Sequence, residues 1–97
     1  MQRELAFEWD KDKAEVNLGK HGLSFADAQA VFFDPLRTTV TDHRFDYGET
    51  RQLTFGMIDD TLYCVTFTER TNSIRIISAR KANARERKRY GHRTIYH

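Results

Sequence analysis

The chain has 97 residues, of which 39% are hydrophobic and 31% charged, and its formal net charge is +2. One domain spanning residues 1–97 is expected, burying roughly 65% of the surface that its unfolded chain exposes, and its aromatic content argues against disorder. No apolar run reaches the ~20 residues that span a bilayer, no signal-peptide stretch opens the chain, and Cys64 is the one cysteine, so the expectation is a cytoplasmic protein with no internal disulfide, no multi-cysteine zinc site and no membrane partner.

Leu5–Trp9 reads as a short strand with Leu5, Phe7 and Trp9 on one face. Asp10 is placed to cap a helix from Lys11 to His21, and Gly22 to stop it. Ala14, Leu18 and His21 share one side of that helix, while Lys13 and Lys20 share another. Ser24-Phe25-Ala26-Asp27 resembles a capping box and opens a second helix through Phe33, with Phe25, Ala28 and Phe32 as its core stripe. Asp34-Pro35 ends it. Strands follow at Leu36–Thr41, Arg51–Ile58, Leu62–Thr68 and Ser73–Arg80. A polar loop with His43, Asp46, Gly48 and Glu49 joins the first two, and Asp59-Asp60 and Arg70-Thr71-Asn72 are the tight turns. Asn83-Ala84-Arg85-Glu86 starts a short last helix that Gly91 can end. The fold class is α+β, in the order β-α-α-β-β-β-β-α: an antiparallel four-stranded sheet, plus the short N-terminal strand, packed against helices.

The small net charge conceals a division. Residues 1–50 carry six Lys/Arg and ten Asp/Glu, whereas residues 51–97 carry ten and four. From Arg75 to Arg93 there are eight basic residues and one acid, Glu86. Such asymmetry points to a nucleic acid or to a masking protein partner.

Strict alternation over the last strand puts Ile74, Ile76, Ser78 and Arg80 on one face and Arg75, Ile77, Ala79 and Lys81 on the other. Arg75 then has two readings: a planar fork for a phosphate, or a pair with Glu69 or with an acid of the N-terminal half. Arg85, Arg87, Lys88 and Arg89 with Tyr90 suit a groove that tracks a nucleic-acid backbone with one stacking ring, or else a solvated helix face. Histidine titrates near neutrality, which makes His21 the first general acid–base candidate, although a helix C-terminus also favours a histidine there. His43 sits in the polar loop, and His92 and His97 in the terminal tail. Glu69 and Glu49 are carboxylates able to act as a base or to orient an arginine. No metal-binding, phosphate-loop or serine-nucleophile motif occurs, so neither metal nor cofactor is expected.

Three stretches taken together resemble one family. Phe7-Glu8-Trp9-Asp10, with Lys13, Asn17 and Lys20-His21-Gly22-Leu23-Ser24-Phe25, resembles the opening of BrnT toxins. Gly48-Glu49-Thr50-Arg51 is similar to their middle loop. Thr66-Phe67-Thr68-Glu69-Arg70, then Arg75-Ile76-Ile77-Ser78-Ala79-Arg80-Lys81-Ala82, Glu86-Arg87 and Tyr90, is similar to their C-terminal block.

The resemblance implies a ribonuclease toxin of a type II toxin–antitoxin pair, with a RelE-like fold. It further implies a DNA-binding antitoxin partner of the BrnA kind, in a complex that represses its own operon. Cleavage that uses the RNA 2′-hydroxyl as nucleophile needs proton transfer and charge stabilisation but no protein nucleophile. On that basis the catalytic set is His21, Lys20, Glu69, Arg75 and Arg80. RNA-binding roles are expected for Arg51, Arg70, Lys81, Arg85, Lys88, Arg89 and Tyr90. Arg75 and Arg80 have opposite alternation, so both can serve only if a bulge or the strand end re-aims Arg80. A non-catalytic nucleic-acid-binding or antitoxin-binding module is the rival class.

Overall fold

The computed structural model describes residues 6–44 and 48–91. Leu5, Asp46, His92 and His97, singled out in the sequence, lie outside the described residues. The elements in chain order are β1 (Phe7–Trp9), α1 (Lys11–His21), α2 (Phe25–Ala28), a 3-10 segment (Gln29–Phe33), β2 (Thr38–Asp42), β3 (Arg51–Ile58), β4 (Thr61–Glu69), β5 (Ile74–Lys81) and α3 (Ala84–Tyr90).

The local signals are realised as chemistry. The Asp10 side chain accepts from Lys13 N–H, and Ser24 accepts from Asp27 N–H. Gly22 takes φ 72°, a left-handed conformation that glycine adopts without strain. Asn83 and Glu86 form both halves of a capping box. The predicted second helix is continuous only to Ala28. It then tightens into the 3-10 segment, which buries Val31 and Phe32 and turns Phe33 outward.

The five strands lie in the order β1-β5-β4-β3-β2. Strands β2 to β5 pair antiparallel, as the short turns require, but β1 pairs parallel to β5, with Phe7 opposite Ile74 and Trp9 opposite Ile76. The sheet is therefore mixed, not purely antiparallel. Its N-terminal strand enters beside the last one, a placement that no local turn encodes.

One face of the sheet is covered by the helices α1 and α2 and the 3-10 segment. Phe25, Ala28, Val31 and Phe32 meet Val65, Phe67, Ile76 and Ala79 there, with Phe7 and Trp9 packed at the margin. Phe32 contacts Phe7 and Phe67 with ring centroids 5.2 and 5.0 Å apart. Gly56 permits the close approach, since a Cβ there would lie 2.9 Å from Val31 Cγ1. Against the other face α3 builds a second, smaller cluster of Phe55, Leu62, Cys64 and Ala82 with Tyr90.

Two polar side chains finish strands where a neighbouring strand stops. Beyond the end of β1, Asn17 of α1 takes both backbone groups of Ala79: its Nδ2 donates to the carbonyl at 2.9 Å, and its Oδ1 accepts from the N–H at 3.1 Å. Its amide also donates to the Leu23 carbonyl. On the opposite side Asp34 accepts from Met57 N–H at 2.8 Å, past the stretch of β3 that β2 covers. The inward residue of α1 is therefore a polar amide, and the apolar side predicted from Ala14, Leu18 and His21 is corrected, because Leu18 is exposed. A helix laid against a strand edge must satisfy backbone donors and acceptors before it buries hydrocarbon.

Candidate functional site

Strand β5 decides which cations meet. Thr66 faces Ser78 while the next residue, Phe67, faces Ile76, so Ile77 is an extra residue with no partner on β4. This bulge reverses the alternation. Arg75 stands opposite Thr68, Ser78 opposite Thr66 and Arg80 opposite Cys64, all on the face away from α1 and α2. The face assignment from strict alternation is thereby corrected, and the condition for Arg75 and Arg80 to serve together is met. On a regular ladder each would lie roughly 7 Å from Ser78 along the strand.

Each of these arginines is tied to an acid. Arg75 Nη1 lies 3.2 Å from Glu8 Oε1, across the parallel β1–β5 pair. The partner is thus an acid of the N-terminal half and not Glu69. Arg80 engages Glu86 end-on, Nη1 to Oε1 at 2.8 Å and Nη2 to Oε2 at 3.0 Å. This pairing holds the Glu86 carboxyl below the usual carboxylate range, with the Asn83 backbone N–H adding to the effect, and raises Arg80 further. Both guanidinium side chains remain about one-third exposed.

Lys20 and His21 come to the edge of the same strand. With Asp12, Lys13, Val16, Asn17, Ile77 and Ser78 they line an open groove of about 350 Å³. The shared side predicted for Lys13 and Lys20 is the groove wall. Ser78 belongs both to the groove and to the arginine face, so the groove opens where the bulge turns the strand. Arg80 lines a separate hollow of about 490 Å³ with Asp42, His43, Arg44, Leu53 and Glu86. In it the buried Asp42 is held by Arg44 through two contacts of 2.9 Å, which lower its carboxyl.

The remaining residues scatter. Glu69 ends β4 and lines a third depression with Glu49, Gln52 and Arg70, where Arg70 lies 3.7 Å from Glu49. The structure does not bring it to the His21 groove. Arg51 pairs with Asp42 across β2 and β3, on the arginine face. Lys81, opposite Tyr63, points to the helix side of the sheet at its exposed end. Arg85, Lys88 and Arg89 are exposed on α3. The Tyr90 ring is stacked on Phe55 at 4.2 Å between centroids, so one of its faces is taken within the fold. Among the described residues no group of three or more His, Cys, Asp or Glu is clustered to hold a metal.

Sequence reasoning missed Ser78, Asn17, Glu8 and Glu86 as parts of this constellation. The signals present were indirect: Glu86 is the lone acid in a basic run, an acid of the N-terminal half was one reading for Arg75, and Glu8, Asn17 and Ser78 lie in the stretches that resemble the family.

The fold and this face define a small α+β domain whose open sheet surface presents arginine donors beside a lysine–histidine groove, a surface suited to phosphate. The sequence matches, over residues 9–86, the family described as ribonuclease toxin, BrnT, of type II toxin–antitoxin systems. The chain belongs to that family, which implies an RNA target and an antitoxin partner. The match contains the groove, Arg75, Arg80 and Glu86, and stops before Lys88, Arg89 and Tyr90. No curated protein matches the chain. No helix among the described residues is long and apolar enough to cross a membrane.

Proposed function

We propose that this chain is a metal-independent endoribonuclease that cleaves RNA on the bulged face of β5 and so inhibits translation and growth. The observation that carries this reading is the bulge at Ile77, which sets Arg75, Ser78 and Arg80 on one face beside the His21 groove. The RNA 2′-hydroxyl attacks the adjacent phosphorus, and the P–O5′ bond breaks. The products are a 2′,3′-cyclic phosphate and a 5′-hydroxyl. The 2′-oxygen loses its proton and the departing 5′-oxygen gains one, so the protein supplies proton transfer and charge.

Arg75 and Arg80 stabilise the phosphorane charge, His21 moves protons, and Lys20 assists from the same groove. Glu69 is left out of this set because, opposite Ile74, it belongs to the face of the sheet away from Arg75 and Arg80. Arg51, Arg70, Lys81, Arg85, Lys88, Arg89 and Tyr90 guide the RNA strand, with the Arg89 guanidinium lying over the Tyr90 ring at 5.6 Å from its centroid. The four antiparallel strands with α1 and α2 on one face support kinship with RelE-type ribonucleases. The partner in this reading is a BrnA-like DNA-binding antitoxin, acting in the cytoplasm, that covers the block from Arg75 to Arg89. Its complex with the toxin represses the shared operon. A complex that leaves that block exposed to solvent overturns this.

The deciding assay incubates purified protein with RNA in EDTA and reads the new ends. Cyclic-phosphate termini are expected from the wild type. Losses of roughly 10²–10³-fold are expected for Arg75→Ala and about 10²–10⁴-fold for His21→Ala. Undiminished cleavage by folded variants removes those residues from the mechanism. Retention of RNA without cleavage by the wild type identifies the non-catalytic module instead.

A further inference from the structure

Arg80 is an arginine with two employments. A guanidinium has five N–H donors in a fixed plane. Its end-on pair is spent on the two Glu86 oxygens, and Nη1 also donates to the Lys81 carbonyl at 3.3 Å. Nη1 lies on the Cδ side of the group, so the donors left over are Nε–H and the second Nη2–H. These two lie along the other edge and form a complete side-on fork, and neither makes a hydrogen bond among the described residues. Side-on forks bind phosphate oxygens in bidentate fashion.

Glu86 is itself anchored. Its Oε1 also accepts from the Asn83 backbone N–H at 2.9 Å, and its own N–H donates to Asn83 Oδ1 at 2.8 Å. The carboxylate is thus part of the first turn of α3. At the other end of that helix Tyr90 stacks on Phe55 with the rings 14° from parallel. Seven residues are too few for a helix stable by itself, so α3 keeps its place through these contacts and through Arg87, which bonds the Ala82 carbonyl at 3.0 Å.

We propose that Glu86 is the positioning residue for Arg80: seated in the α3 capping box, it occupies one edge of the guanidinium and turns the other edge toward the RNA phosphate. The docking of α3, down to Tyr90 on Phe55, then sets the aim of a group on β5. This rests on the reading of Arg80 as a phosphate-binding residue, and the test separates the two.

Glu86→Gln is the informative variant, because glutamine at this position keeps a capping box while it loses the two-oxygen carboxylate pair. The intact chain is used throughout. In the free protein, Arg80 side-chain N–H signals in nitrogen-15 spectra are expected to be sharp and slow to exchange with solvent. They should broaden or exchange faster in Glu86→Gln and in Tyr90→Ala, while far-ultraviolet circular dichroism shows both variants folded. In RNA cleavage, Glu86→Gln is expected to lower kcat by about 10-fold to 100-fold with KM little changed, as a misaimed group does. Unchanged Arg80 signals in folded Glu86→Gln overturn the positioning role. So does a full kcat in that variant when Arg80→Ala has lost cleavage. Full cleavage by Arg80→Ala instead overturns the phosphate reading of Arg80, and the spectra still report whether Glu86 holds it.

Discussion

The two faces of the sheet are built from the same strands by opposite rules. On the helix side, Val65, Phe67, Ile76 and Ala79 are fully enclosed by aromatic and aliphatic side chains. On the other side, Glu8, Arg75, Ser78, Arg80 and Asp42 share an incompletely covered surface, and its charges come in pairs. The first face holds the molecule together. The second holds cations at defined places while leaving them open to solvent. An ion pair as exposed as Arg75–Glu8 contributes only about 0–1 kcal/mol to stability, so its worth lies in orientation.

The contrast is sharpest when substitutions are compared across the faces. Phe67→Ala is expected to cost about 3–5 kcal/mol, read as a lowered midpoint in urea unfolding. Arg75→Ala, one strand away on the opposite face, should change stability by less than about 1 kcal/mol while cleavage collapses. A large loss of stability in Arg75→Ala would mean that the second face is structural after all.

A smaller effect is expected at the boundary between helix and sheet. Asn17→Ala leaves the Ala79 N–H and two carbonyls short of partners in a buried place, at a cost of about 1–3 kcal/mol. Amide hydrogen exchange at Ala79 should quicken. If it does not, α1 is held by other contacts.

Acid should act on the second face and on the α1 cap, where the Lys13 backbone N–H lowers the Asp10 carboxyl. Asp42 is lowered chiefly by its hydrogen bonds to the Arg44 guanidinium, and Glu86 by those to Arg80. A carboxyl lowered in the folded state stabilises it above its unfolded pKa, and that contribution is lost as pH falls through the folded value. Stability should therefore decline as pH drops below the ordinary carboxylate range, and Glu86→Gln should flatten part of the decline. The smallest expected effect is at Cys64, beneath α3. Burial pushes its thiol up to about 11, so alkylation at neutral pH should be slow in the folded protein and fast once it is unfolded.

Much of this architecture was legible in the residues. Caps at Asp10, Ser24 and Asn83, the stop at Gly22 and the turn at Asp59-Asp60 are local devices. Each works through bonds within a few residues, so reading the sequence is enough to place them. The charge division and the motif series were also visible, and they led to the family. The parallel pairing of β1, the partners of the arginines and the inward turn of Asn17 were not visible. Glu8 and Arg75 are 67 positions apart, and Asn17 and Ala79 are 62 apart. No local pattern connects them.

The sequence by itself determined most of the elements and the cluster of basic residues near the C-terminus, because propensity, capping and period are short-range. Only the tertiary structure decided which cations meet. A period-two reading places Arg75 and Arg80 on opposite faces. One unpaired residue, Ile77, reverses that, and a bulge exists only in relation to the neighbouring strand, here at Thr66 and Phe67.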